Sequence, residues 1–187
     1  MHILLKSLLK EAEEQSPLKY QFYCDMDGVL VDMDGGFKKI SGGMLPKEYE
    51  AKNGKNSFWA IVNQHPNFWA DLEPLPDAKV LWSYIRGNFK TPQPVILSAG
   101  QGVKIKEQKT AWIRKYVDPT VKVIIASSGV NKPQYIINGG DVNTVHILLD
   151  DTEKNITAWE NSGKNRIALL HKNAADSIKL IQSIISK

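Results

Sequence analysis

The chain has 187 residues, room for one medium-sized domain or one domain with a small insertion but not for two full domains. With 42% hydrophobic and 24% charged residues, 13 Gly and 9 Pro, it can bury a real core, which excludes disordered, collagen-like and disulfide-scaffold proteins. A formal charge of +4, from 24 basic and 20 acidic residues interleaved along the chain, describes a solvated mixed surface rather than a nucleic-acid stripe and still suits a phosphorylated ligand.

The chain opens on MHILLKSLLKEAEEQ, where Lys6 and Lys10 interrupt the apolar residues and Glu11, Glu13 and Glu14 follow. That pattern argues against a signal peptide, and Ile3, Leu4, Leu8 and Leu9 suggest a short amphipathic helix instead. The single cysteine, Cys24, cannot close an intramolecular disulfide, and no apolar run approaches the roughly 18 residues of a membrane span. The expectation is a cytoplasmic protein with no membrane partner; a dimer is compatible with the sequence, which leaves the oligomeric state open.

Five short apolar runs, Tyr20 to Cys24, Pro94 to Leu97, Val121 to Ala126, Val145 to Leu149 and Arg166 to Leu170, alternate with helical stretches. This is the pattern of an α/β fold: a Rossmann-like three-layer core with a five-stranded parallel sheet. Residues 33–75 break the rhythm, offering no strand and carrying SGG, NGKN and QHPN as turn signals. They are expected to form a small, mostly helical insertion, with residues 1–32 and 76–187 making the core. A helix from Pro76 to Asn88 should turn Val80, Leu81 and Ile85 inward. Ile105, Trp112, Ile113 and Tyr116 recur at helical spacing, which makes Trp112 a core residue. Thr152 suits an N-cap, with Ile156 and Trp159 inward and Gly163 ending that helix, and Ala174 to Ile185 forms a last amphipathic helix.

The first run ends in Asp25-Met26-Asp27-Gly28-Val29-Leu30-Val31-Asp32. Residues two apart at a strand end point the same way, so Asp25 and Asp27 should project together from the carboxyl edge of the sheet, where open α/β folds bind ligands. Two carboxylates there repel unless a cation lies between them, and a hard, oxygen-seeking ion such as Mg²⁺ fits. Each later strand ends on a further polar group: Ser98 after the second, Lys132 in the loop after the third, and Asp150-Asp151 after the fourth.

Acid pair, hydroxyl, lysine and acid pair, in this order, resemble the haloacid dehalogenase superfamily of phosphotransferases. Within it, DMDGVLVD, the segment Asn67 to Pro76 (NFWADLEPLP), Lys109 to Tyr116 (KTAWIRKY) and LLDD are similar to the 5'(3')-deoxyribonucleotidases. The resemblance runs from Tyr20 to Asp151. It implies a haloacid-dehalogenase-like core, a cap made by the insertion, and a Mg²⁺-dependent phosphomonoesterase acting on a small phosphorylated substrate, a (deoxy)ribonucleoside monophosphate. Asp25 would be the nucleophile and Asp27 the acid and base; Ser98 and Lys132 would hold phosphate oxygens. Asp25, the Asp27 main-chain carbonyl and Asp151 would bind the metal, with Asp150 supporting them, and Phe58, Trp59 and Phe68 would meet the substrate.

Two departures bear on substrate grip. Ala99 and Gly100 stand where the nucleotidases carry a second hydroxyl and a proline, and Met33 stands where they carry an aromatic. A polynucleotide 3'-phosphatase or another small-molecule phosphatase is the alternative, the only one in which nucleic acid is a partner. A phosphate-binding module without catalysis is the non-enzymatic alternative. Lys104 and Lys109 could add phosphate contacts, though solvation at the surface is the expectation for both. Phe37 and Trp69 read as the insertion's own core. Cys24 should point away from the acids, His146 reads as core or edge, and His2, His65 and His171 show no metal spacing. Asn155-Ile156-Thr157 is a glycosylation sequon only in letters.

Overall fold

The computed structural model describes residues 18–186; the helix expected around Ile3 to Leu9 lies outside them. Five strands, β1 (Lys19–Cys24), β2 (Val95–Ala99), β3 (Lys122–Ala126), β4 (Thr144–Asp150) and β5 (Arg166–Leu170), form one parallel sheet in the order β3-β2-β1-β4-β5. All five match the apolar runs to within two residues. Both faces of the sheet are covered: Phe22 and Cys24 of β1 point into one apolar cluster and Tyr23 into another, as a parallel sheet buried on both sides requires. The chain steps from β1 out to β2 and β3, then returns to β4 on the other side of β1. That reversal opens a crevice at the carboxyl ends of β1 and β4.

The insertion holds α1 (Met33–Ile40), α2 (Pro46–Asn53) and α3 (Ser57–Val62). Asp32, the last acid of the first motif, caps α1 by accepting from the Gly35 amide at 2.8 Å. A side chain at Gly35 would meet that carboxylate at 2.0 Å, so the cap needs glycine there. The chain entering and the chain leaving the insertion are tied side by side, Asp32 N to Glu73 O and Leu75 N to Leu30 O, both at 2.9 Å. Phe37, expected in the insertion's core, is fully buried between Tyr49 and Phe58, and Trp69 is buried as well. Their cluster is continuous with the Phe22 face of the sheet, so the insertion shares the core's apolar interior.

Four helices complete the layers: α4 (Ala78–Asn88), α5 (Val103–Tyr116), α6 (Glu153–Glu160) and α7 (Ala174–Ile185). On α4 the buried stripe is Ala78, Leu81, Trp82 and Ile85, which corrects the expectation for Val80: it is 62% exposed. At about 100° per residue, Val80 falls on the opposite side from that stripe. Trp112 of α5 is core, and its indole N–H donates to the Leu72 carbonyl at 2.7 Å, fastening core to insertion. Thr152 stands at the N-cap of α6 without capping it, because its hydroxyl donates to Asp151; the helix ends at Glu160, three residues before Gly163. Among the described residues no helix is long and apolar enough to cross a membrane.

His146 lies in β4, fully buried, 3.3 Å from the Tyr23 hydroxyl, with no partner at Nε2. Burial pushes its pKa down from 6.5 to about 4. The imidazole therefore stays neutral in the fold while it protonates in the unfolded chain, and its stabilising contribution is lost as pH falls from about 6.5 to about 4. Urea unfolding of the wild type and His146→Gln between pH 7 and pH 4 should show the wild type losing up to about 3 kcal/mol relative to the variant. Parallel pH dependences would contradict a neutral buried imidazole.

Candidate active site

Asp25 is the first residue beyond β1, and its amide still donates to Leu149 O at 2.9 Å. The register pairs Cys24 with Leu149, so one step further sets Asp25 beside Asp150 at the end of β4. Cys24 points away into the core as expected, and burial pushes its thiol well up, out of any thiolate role. After Asp25 the chain turns sharply: the amides of Leu30 and Val31 both donate to Met26 O, and Gly28 adopts φ +71°. A Cβ on Gly28 would lie 2.1 Å from Asp151 Oδ2, so glycine serves both the turn and the close approach of the fourth-motif acid.

Lys132 comes from the short 3₁₀ segment Gly129–Tyr135 after β3 and is 1% exposed. Its ammonium lies 2.9 Å from Asp25 Oδ2 and bonds Asp150 Oδ2 as well. Burial disfavours its charge, but the two carboxylates outweigh that and hold its pKa above the usual lysine value. Asp150 is saturated: Oδ1 accepts from the Thr152 amide at 3.0 Å and from the Asn155 side chain at 2.9 Å. It is thus a fixed support for Lys132 and for the start of α6. Asp151 reaches the open side of the site, with one bond from Thr152.

Among the described residues, one group of acids converges tightly enough to hold a cation: Asp25, Asp150 and Asp151, with ligand oxygens within 4.8 Å of one another. Burial pushes Asp25 up to about 7, Lys132 countering and Asp150 adding to the shift, and burial with the Asp150 charge pushes Asp151 up to about 6. An all-oxygen set of carboxylates whose ionisation is disfavoured without a counter-charge suits a hard cation such as Mg²⁺.

Asp27 points to the same edge, half-buried, and one carboxylate oxygen, Oδ1, is buried without a partner. Its other oxygen, Oδ2, pairs with Lys109. This corrects the expectation of a solvated Lys109, which is fully buried; its ammonium also donates to Ala99 O at 2.7 Å and Ser98 Oγ at 3.2 Å. The face of Trp69 covers it, 4.1 Å from ring centroid to Nζ. The signal was in the helix pattern: Lys109 stands four residues after Ile105 and three before Trp112, on the inward stripe of α5. Ser98 is fully buried beside it. Lys104 is exposed, as expected.

The expected substrate contacts separate. Trp59 is 41% exposed and, with Asn63, Gln101 and Ile105, bounds a cavity between α3 and the start of α5. Phe58 is half-buried, stacked on Phe37 and edge-on to Trp59, both at 5.0 Å between centroids. Phe68 is 6% exposed and packs edge-on to Trp69, bordering a neighbouring cavity that also includes Asn63 and Ile105.

No protein-family model and no curated protein matches the chain. Among solved structures, a haloacid dehalogenase-like hydrolase from Burkholderia xenovorans LB400 is similar at 14% identity, with 84% of each chain covered and a TM-score of 0.51. A beta-phosphoglucomutase from Bacteroides vulgatus aligns at 16% identity over 96% of this chain and 93% of its own, with a TM-score of 0.37. The first likeness is one of fold alone, the parallel α/β arrangement.

The raised acids give a pH prediction. A carboxyl whose folded pKa is raised adds stability below its unfolded value, near 3.8, and loses it as pH climbs through about 6 for Asp151 and about 7 for Asp25. A cation needs both groups ionised, so the rise in Tm caused by millimolar Mg²⁺ should be small at pH 5 and larger at pH 8. Asp151→Asn should remove most of it. A Mg²⁺ effect equal at both pH values, or intact in that variant, would contradict this assignment of the acids.

Proposed function

We propose that this chain is a Mg²⁺-dependent phosphomonoesterase of the haloacid dehalogenase type that hydrolyses nucleoside monophosphates, most like a 5'(3')-deoxyribonucleotidase. The observation that carries it is the buried Lys132 bridging Asp25 and Asp150 at the crevice, with Asp27 two residues beyond Asp25 and joined to a second buried lysine. A binding module has no need of a carboxylate held ready beside an acid-base partner.

Asp25 Oδ1 accepts from the Met26 amide at 2.7 Å while Oδ2 faces Lys132, so the carboxylate is fixed in orientation before substrate arrives. It attacks phosphorus, forms an aspartyl-phosphate and expels the alcohol, dividing one difficult displacement into two. Asp27 gives a proton to the leaving oxygen and then takes one from the water that hydrolyses the acyl phosphate. Lys132, and the Ser98 hydroxyl, which accepts from Lys109 and keeps its own proton to donate, balance charge on the transferring oxygens. The Asp25 and Asp151 carboxylates and the Asp27 main-chain carbonyl would hold Mg²⁺, which would supply positive charge to offset repulsion between Asp25 and the phosphate.

Substrate class rests on the insertion and on the sequence resemblance. The Trp59 cavity reaches Ile105, one helical turn from Lys109, whose ammonium touches Asp27. The cavity thus borders the helix that carries Lys109, a place where the base of a nucleoside could lie on Trp59 while its phosphate meets Asp25. Phe58 meets Trp59 edge-on and braces it. The neutral amides of Asn63 and Gln101 suit a base edge better than a second phosphate.

Asp25→Asn should lower phosphate release from deoxyribonucleoside monophosphates by at least about 10⁴-fold with an unchanged far-UV circular dichroism spectrum. Turnover near the wild-type rate would rule out the covalent route. Trp59→Ala should raise KM for nucleotides about tenfold, by the loss of one stacked base, and leave KM for a small aryl phosphate unchanged. Equal effects on the two substrates would put Trp59 outside the base site.

A further inference from the structure

A lysine ammonium has three protons to donate, and those of Lys109 are all engaged: Asp27 Oδ2, Ala99 O and Ser98 Oγ accept them. Its remaining side lies against the Trp69 ring, and no part of the residue reaches solvent. Such a cation has no donor left for a phosphate oxygen. It does fix one carboxylate oxygen of Asp27, and the other, Oδ1, is buried with no partner at all.

We propose that Lys109 is a positioning residue for proton transfer, holding Asp27 by Oδ2 so that Oδ1 is the atom that exchanges the proton, and that Trp69 makes this hold depend on the insertion. The inference rests on the phosphomonoesterase reading in which Asp27 is the acid and base. With Oδ2 held by Lys109, Oδ1 is the oxygen left to give or take a proton. As the P–O bond breaks, its electron pair stays on the ester oxygen, which takes that proton and leaves as the alcohol; Asp27 becomes the carboxylate. In the second half Oδ1 recovers a proton from the attacking water, whose oxygen bonds phosphorus, and Asp25 is released as a carboxylate. No oxidant or further reactant enters.

Trp69 belongs to the segment that returns from the insertion to the core, whereas Lys109 belongs to α5. Covering a desolvated ammonium with an aromatic face strengthens its pairing with Asp27, since water would compete for the same protons. The placement of the general acid is then sensitive to how the insertion sits on the core, without any insertion residue touching the phosphate.

Leaving-group dependence separates this role from a phosphate grip. p-Nitrophenolate departs without a proton, whereas a nucleoside alkoxide needs one. In Lys109→Met, kcat/KM for a deoxyribonucleoside monophosphate should fall about 100-fold, the lower range of general-acid contributions, while kcat/KM for p-nitrophenyl phosphate changes less than about threefold. Inhibition by orthophosphate should be unchanged, and the second step, which still needs Asp27 as base, should become limiting and produce a nitrophenol burst. Adding Lys109→Met to Asp27→Asn should cost nothing more on the nucleotide. Trp69→Leu should follow the same substrate pattern at about tenfold and Trp69→Phe, which keeps a ring face, should restore most of the rate; this pair tests the idea even if Lys109→Met fails to fold. Equal falls in kcat/KM on both substrates with weaker orthophosphate inhibition would make Lys109 a phosphate ligand and overturn the inference while leaving the phosphatase standing. A wild-type protein inert toward both substrates would overturn the two together.

Discussion

Everything at the crevice depends on one buried cation. Lys132 is removed from water between Asp25 and Asp150, and an unpaired lysine there would cost several kcal/mol. Pairing reverses the effect, holding its charge above the ordinary lysine range. One lysine cannot neutralise Asp25, Asp150 and Asp151 together, however. Burial raises the pKa values of Asp25 and Asp151, and the neighbouring carboxylate charge adds to the rise. The three converging acids therefore favour a cation. The same excess of carboxylate explains why a buried, oxygen-only set suits Mg²⁺ better than a softer metal.

The fold supplies the geometry from few local decisions. Strand order places β1 and β4 side by side, so an acid after each meets the other; Gly28 lets the first-motif turn pass within reach of Asp151. Asp150 spends its second oxygen on the start of α6, and so links the helix to the lysine bridge. A parallel arrangement exists between Asp27 and Lys109, where the insertion contributes Trp69. Each of the two acids expected to carry chemistry is thus held by its own buried lysine, one supplied by the loop after β3 and the other by α5.

The strands were legible because a sheet covered on both faces needs continuous apolar runs, and these stand out between turn-rich segments. The crevice acids and Lys132 were legible because each follows a strand in order. Helix phase was harder: Val80 turns outward even though its neighbour Leu81 is core, because about 100° per residue sets it opposite the stripe of Ala78, Leu81, Trp82 and Ile85. Lys109 was harder still. Its burial depends on Asp27, 82 residues earlier in sequence, and on Trp69 from the insertion. Lysine composition points to the surface, and only its place on the apolar stripe of α5 argued otherwise. Phe58 and Phe68 show the same limit: an aromatic at the right place in a motif can face the ligand or support the residue that does, and that choice is made by tertiary packing.

In the proposed reaction Asp25 forms a covalent bond to phosphorus. Its most direct test is to mix the protein with Mg²⁺ and a deoxyribonucleoside monophosphate, quench in acid within a single turnover, reduce with borohydride and map peptides by mass spectrometry. An aspartyl-phosphate is reduced to homoserine, so homoserine is expected at position 25 in the wild type and none when substrate is omitted. An active protein in which Asp25 remains unmodified throughout turnover would contradict it.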